Sequence, residues 1–390
     1  SFHTLRWQSH LNRFLCWRFR HDCQSLFHRH TGFQRGKRWF TQSSPGIIAT
    51  GFHNFERCNL LPFSEDMFAG HRVNKIAIFG IDLQLTIRPY FLLRQIDIHI
   101  CTVYRNDMTP SQLDEKDFGK IFEAIYRHFD VAEQAEITLE ANPDDMKREY
   151  VSLLRNYPFN RVSMGVQSFH PEDLRFLNRR HDREQAIKAV ELCKEYGITN
   201  ISIDLIYGLP NQTQQAWEEN LRQAIRLDVP HLSAYHLIYE EGTALYKLLE
   251  AGKVTPINEE LSVSFFSTLI DRLAEAGYLH YEISNFARPG FFSKHNSSYW
   301  TGKKYLGLGP SAHSYNGIDR EWNPSSLPIY IEGIENGHPT IESEDLDLCT
   351  RYNDFIITGL RTMWGVSFAD IQTKFGRKLL SYCQKQAQPH

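Results

Sequence analysis

From Ile201 the chain places apolar residues at alternate positions, Ile201, Ile203 and Leu205, a period of two that predicts a strand. The run meets Asp204 and ends at Gly208-Leu209-Pro210, which stops a strand. Behind Thr213, whose hydroxyl can cap a helix, Trp217, Leu221, Ala224 and Ile225 recur at helical spacing. The same grammar repeats on both sides. Ile137-Thr138-Leu139 leads to Glu140, Asn142-Pro143 and a helix; residues 161–166 lead to Gln167 and a helix from about Pro171; residues 232–235 lead to His236. Upstream, Leu113, Phe118, Ile121, Phe122, Ile125 and Tyr126 predict the buried stripe of a helix that starts at Thr109-Pro110-Ser111, with Ser111 as its cap. Further helices are predicted over 182–196, with Ala186, Ile187, Val190 and Cys193 inside and Gly197 as the stop, and over 259–276, with Phe265, Phe266, Leu269, Ile270 and Leu273 inside. Alternating strand and helix implies an α/β fold with a parallel sheet and right-handed crossovers.

In such a sheet the carboxyl ends of the strands lie on one face, where ligands bind. One polar residue at a strand end carries little information. Four in series, Glu140, Gln167, Asp204 and His236, favour a site.

The flanking parts follow other rules. Residues 1–101 crowd Arg, His, Phe and Trp without a sustained helical period, although residues 76–81 and 96–100 have strand character. Residues 281–315 turn irregular, aromatic and glycine-rich, as binding loops do. Short helices are predicted over 347–360, 368–375 and 378–384. The expected division is 1–101, unmatched; 102–280, the alternating part; 281–342, a ligand-binding segment; and 343–390, a helical domain. The start at Ser1 and the lack of a closing element suggest a fragment truncated at its C-terminus.

Composition bounds the function. With 390 residues, 42% hydrophobic and 23% charged, the chain has the profile of a soluble globular protein of two or three domains. No apolar run approaches the ~20 residues that span a bilayer. The net charge of −3 is uneven, since residues 1–100 carry 13 Lys and Arg against 6 Asp and Glu. That surplus suggests a nucleic-acid arm or a targeting peptide, but 100 residues is long for the latter, and no nucleic-acid partner is expected. Seven cysteines, at 16, 23, 58, 101, 193, 349 and 383, form no disulfide framework and include no C-x-x-C pair, so the chain reads as cytoplasmic and without a sequence-local zinc or iron–sulfur site.

LEANPDD at 139–145, RVSMGVQSF at 161–169, LNRRHD at 177–182, IDLIYGLP at 203–210 and HNSSYW at 295–300 together resemble the coproporphyrinogen-oxidase-like branch of the radical SAM superfamily, most nearly its HemW heme-chaperone family. The resemblance runs from about 102 to 383 and implies a partial (βα) barrel with a C-terminal helical domain. It also implies S-adenosylmethionine at Thr109, Glu140, Gln167, Arg179 and Asp204. Acids suit the ligand's amine and ribose hydroxyls, and an arginine fork suits its carboxylate. The H-N-x-x-Y-W pattern implies heme at His295, Asn296, Tyr299 and Trp300, with His313 a second candidate. A neutral imidazole is a good axial ligand, and aromatic faces suit a porphyrin.

The family's C-x-x-x-C-x-x-C, which holds a 4Fe–4S cluster, is missing. Asn106-Asp107-Met108 stands where relatives have three glycines that let the backbone approach the cofactor. The resemblance therefore begins abruptly at 102–109, and residues 1 to about 101, with 105–108, are expected to stem from a frameshift, rearrangement or gene-model error. The expected function is a heme chaperone that delivers heme to an acceptor protein, without radical chemistry. The alternatives are an oxygen-independent coproporphyrinogen III oxidase and a non-functional frameshifted product.

Overall fold

The computed structural model describes residues 110–388 throughout, together with the backbone of the strands Lys75–Phe79 (β1) and Asp97–Cys101 (β2). Thr109 lies outside the described residues.

Four parallel strands carry the predicted grammar: β3 Ile137–Ala141, β4 Arg161–Gln167, β5 Ile201–Tyr207 and β6 His231–His236. Between them run α1 Glu115–His128 before β3, α2 Arg148–Leu154, α3 Pro171–Phe176, α4 Arg183–Glu195 and α5 Gln214–Arg226. After β6 follow α6 Ala244–Glu250 and α7 Glu259–Glu275, then β7 Leu279–Glu282 and β8 Asn285–Ala287. The helix α8 Lys294–Trp300 leads to β9 Leu306–Leu308. The sheet order is β7-β8-β6-β5-β4-β3-β2-β1-β9, parallel from β6 to β9, with β8 antiparallel to β6. Pairing of Ile98 with Ile137 and Ile100 with Leu139 carries this sheet across the division placed at 101/102. The chain passes from β8 to β9, near opposite sides of the sheet, through α8, which lies beside β2.

One face of the strands builds the core. Leu139, Val162, Met164, Val166, Ile201, Ile203, Leu205, Leu232 and Ala234 are buried with the helices' apolar stripes. Trp217 of α5 is fully buried and its Nε1 donates to the Phe265 carbonyl of α7, 3.0 Å. The remaining elements are a small antiparallel sheet of β10 His313–Tyr315, β11 Asp319–Trp322 and β12 Glu342–Asp345, and the helices α9 Leu327–Glu335, α10 Leu348–Leu360 and α11 Phe368–Ala387.

Three local expectations are corrected. Ser111 does not cap α1. It sits in a 3₁₀ turn, donates to Asp145 Oδ2 (2.8 Å) and accepts from the Asn142 N–H, while Asp114 forms a capping box with Asp117. Tyr126 is exposed because it falls at the edge of the stripe. Residues 281–315, expected to be irregular, contain β8 and β9 of the large sheet and β10 of the small one, each of three residues, too few to show a period. The helices expected over 368–375 and 378–384 form α11, which is broken at Gly376, where φ is 83°.

Candidate functional site

Parallel pairing places residues in rows on the interior face of the strands. Glu140 lies opposite Ser163, Ser163 opposite Ser202, and Ser202 opposite His231; one level nearer the strand ends, Asp204 lies opposite Ser233. Burial, and then the neighbouring Glu140 carboxylate, push the Asp204 carboxyl up to about 7; the Ser233 hydroxyl, Arg161 and Arg179 pull the other way. Two acids from adjacent levels therefore share the interior with two guanidinium groups.

Gln167 ends β4 at a register shift and adopts φ of 67°, a region that side-chain-bearing residues rarely occupy. A bulge re-aims a side chain, and here it turns the Gln167 amide toward Gly165. A Cβ on Gly165 would stand 2.8 Å from Gln167 Nε2 and 3.2 Å from Arg179 Nη2. Arg179, from the loop between α3 and α4, donates through Nη2 to Asn142 Oδ1 (2.7 Å) and to the Gly165 carbonyl (2.8 Å). Its Nη1 and Nε make no hydrogen bond among the described residues. Burial lowers the Arg179 guanidinium, which the Asp144 and Asp204 carboxylates oppose. His236 lies at the same end, edge-on to Tyr207 with ring centroids 5.1 Å apart, in space that Gly208 leaves open. Thus Glu140, Gln167, Arg179 and Asp204 are brought together. The sequence reading missed Asn142, Gly165, Arg161 and Ser233. The first three stand inside motifs it singled out but read as strand or loop positions.

His295, Asn296, Tyr299 and Trp300 occupy α8. Ser293 caps this helix by accepting from the Asn296 N–H, 3.2 Å. The Glu136 carboxylate accepts from the Lys294 and His295 N–H groups, each 3.1 Å. Glu136 directly precedes β3, so α8 is tied to the amino ends of the strands, about 13 Å of strand below Glu140. His295 is buried, and its Nε2 lies 3.1 Å from the Tyr299 hydroxyl. Trp300 carries the Arg361 guanidinium 4.4 Å above its ring. His313 sits apart on β10, stacked with Trp322, and burial, followed by Arg320, pushes it down to about 4.

The described residues do not fit an iron–sulfur cluster. No group of three or more His, Cys, Asp or Glu among them could hold a metal ion. Of the described cysteines, Cys193 is sealed in the core, where burial pushes its thiol up to about 12, and Cys349 and Cys383 lie in the C-terminal helices. Among the described residues no helix is long and apolar enough to cross a membrane.

A profile of the radical SAM superfamily matches residues 106–224, the stretch that carries Glu140, Gln167, Arg179 and Asp204. The chain is 34% identical over 280 residues to the heme chaperone HemW of Bacillus subtilis, covering 71% of this chain and 74% of that one. It is 29% identical over 313 residues to the mitochondrial radical S-adenosyl methionine domain-containing protein 1 of Danio rerio, covering 76% and 70%. Its fold matches that of coproporphyrinogen III oxidase (HemN) from Escherichia coli, with TM-score 0.66 at 20% identity, over 81% of this chain and 82% of that one. The chain belongs to the HemW family of the radical SAM superfamily.

Proposed function

We propose that the chain is a heme-carrying protein that holds heme at α8 and passes it to an acceptor protein, and that it binds S-adenosylmethionine at the strand ends without radical chemistry. The observation that carries the heme reading is α8 itself. The HNSSYW segment forms a separate helix, anchored by Glu136 and Ser293, with the His295 imidazole seated against the Tyr299 hydroxyl. Exchanging that contact for heme iron costs roughly one hydrogen bond, about 1 kcal/mol, and imidazole–iron ligation can outweigh it. Its relatives' name, heme chaperone, supports the same reading. Titration of the purified chain with hemin tests it. His295→Ala is expected to weaken binding at least about tenfold and to shift the Soret band; an unchanged titration removes His295 from the ligand set.

At the other end, Glu140 and Asp204 suit the amine and hydroxyls of S-adenosylmethionine. Arg179 suits its carboxylate, because Asn142 and Gly165 fix Nη2 and leave Nη1 and Nε to donate. Gly165→Ala meets only the far ends of flexible side chains, so it is expected to change stability by less than about 1 kcal/mol. It displaces Gln167 and Arg179 together and is expected to lower S-adenosylmethionine affinity about tenfold by calorimetry; equal affinity would take the pair out of the site. The whole sequence lacks C-x-x-x-C-x-x-C and the described residues do not fit a cluster, so no radical step is assigned. The same lack weighs against a coproporphyrinogen oxidase, for which the HemN likeness speaks at the level of fold alone.

Lys75–Phe79 and Asp97–Cys101 pair within the parallel sheet, which speaks against a frameshift, rearrangement or gene-model error across those two strands; we confine that attribution to the rest of residues 1 to about 101 and to 105–108. Translating all frames of the coding DNA tests this: a C-x-x-x-C-x-x-C followed by a glycine triplet in another frame supports it, and their absence from every frame contradicts it. The proposed compartment is the cytoplasm.

A further inference from the structure

The barrel floor contains a string of polar groups that neither binding reading uses. Ser202 Oγ lies 2.7 Å from His231 Nδ1, and His231 Nε2 lies 2.7 Å from the Tyr281 hydroxyl. The Ser293 N–H donates to that same hydroxyl, 3.3 Å away. Ser202, His231 and Tyr281 are all fully buried. The string joins two places already described: Ser202 stands in the interior row with Glu140 and Ser163, and Ser293 caps α8.

Its direction follows from the donors. A backbone N–H can only donate, so the Tyr281 oxygen accepts at one end. A neutral imidazole offers one donor nitrogen and one acceptor nitrogen, and burial, then the nearby Arg161 cation, hold His231 neutral. If Nε2 carried the proton, Tyr281 would accept twice and its own proton would have no acceptor in the hydrogen bonds of the described residues. An unmet buried hydroxyl proton is unfavourable. With the proton on Nδ1, Tyr281 donates to Nε2 and Nδ1–H donates to Ser202. The remaining hydroxyl proton is then that of Ser202, beside half-buried Ser163 on the interior face.

We propose that His231 and Tyr281 are positioning residues, forming a one-way hydrogen-bond chain that seats the HNSSYW helix against the interior row of the barrel. The inference rests on the reading of α8 as the heme helix only for its effect on heme. His231→Gln keeps one acceptor and one donor on the side chain; His231→Leu keeps neither, and Tyr281→Phe removes the central hydroxyl.

The test uses the full chain with ¹⁵N-labelled histidine, hydrogen exchange at the Ser293 amide, and hemin titration of the same samples. The expected results are a pyrrole-type Nδ1 and a pyridine-type Nε2 at His231. Faster exchange at Ser293 is expected in Tyr281→Phe. Hemin affinity about fivefold lower, with a shifted Soret band, is expected in Tyr281→Phe and His231→Leu but not in His231→Gln. An Nε2–H tautomer overturns the proposal. So does a folded Tyr281→Phe with unchanged Ser293 exchange. If the wild type fails to bind hemin, the heme reading alone is contradicted, because tautomer and exchange still decide the chain.

Discussion

Replacing Arg361 with alanine is expected to destabilise the protein by about 3 kcal/mol and to loosen the C-terminal helices from the barrel. The reason is Glu282, whose side chain is 1% exposed. One of its oxygens accepts from Arg361 Nη2 at 2.7 Å, and the other accepts from Asn285 Nδ2 at 2.6 Å and the Ser284 N–H at 3.2 Å. Removing the guanidinium leaves a buried carboxylate with neutral donors alone, and breaking a buried pair from one side is far costlier than replacing both partners. The same change strips the cation from the Trp300 ring, worth about 1 kcal/mol. It also affects the place where the C-terminal part meets β7: the Ile283 N–H donates to the Arg361 carbonyl and the Met363 N–H to the Tyr281 carbonyl. Urea unfolding checks the value. The double change Arg361→Met, Glu282→Gln is expected to recover most of the loss, whereas an unaltered midpoint in Arg361→Ala would show that the pair holds nothing together.

Asp204→Asn is expected to stabilise the protein at pH 8 by about 2–4 kcal/mol and to leave it unchanged near pH 4. Burial and Glu140 raise the Asp204 carboxyl to about 7 from an unperturbed 3.8. Between these values the folded state holds a proton that the unfolded state has released. The contribution of this group therefore falls as pH rises from about 4 to 7, and above 7 the folded protein bears the full cost of the buried charge. Asparagine is neutral throughout and keeps a polar group beside Ser233. Unfolding curves for both proteins at pH 4 and 8 measure the difference. A gap of equal size at both pH values would mean that the effect is not the carboxylate's ionisation.

Much of the barrel was legible because its strands and helices are long enough for their periods to show. Arg161, Ile201 and the residues after Thr213 start elements where the pattern places them. The C-terminal helices were legible as well, even to the break near Gly376. Short elements were not. Leu306–Leu308 is defined by pairing with Ile76–Ile78, more than 200 residues away, and no local period encodes that. The cap of α1 was misassigned because Ser111 and Asp114 are both cap-forming types, and only the tertiary bond to Asp145 separates their roles. In the site, residue types marked Glu140, Gln167, Arg179 and Asp204, but not how they are held. The bulge at Gln167, the Asn142 acceptor for Arg179 and the Glu136 carboxylate at α8 are contacts between segments distant in sequence. The motif reading did not place the two binding segments relative to each other. The structure ties His295 to the amino ends of the strands and gathers Arg179 and Gln167 at the carboxyl ends.

The central claim is that one barrel carries two separate tasks, heme at α8 and the cofactor at the opposite strand ends. Hemin titration of Asp204→Asn beside His295→Ala, without any iron–sulfur reconstitution, tests it most directly. The account predicts a wild-type Soret band and affinity in Asp204→Asn, and binding weakened at least about tenfold in His295→Ala. Loss of hemin binding in a folded Asp204→Asn, with His295→Ala unaffected, would contradict it and place heme among the strand-end acids.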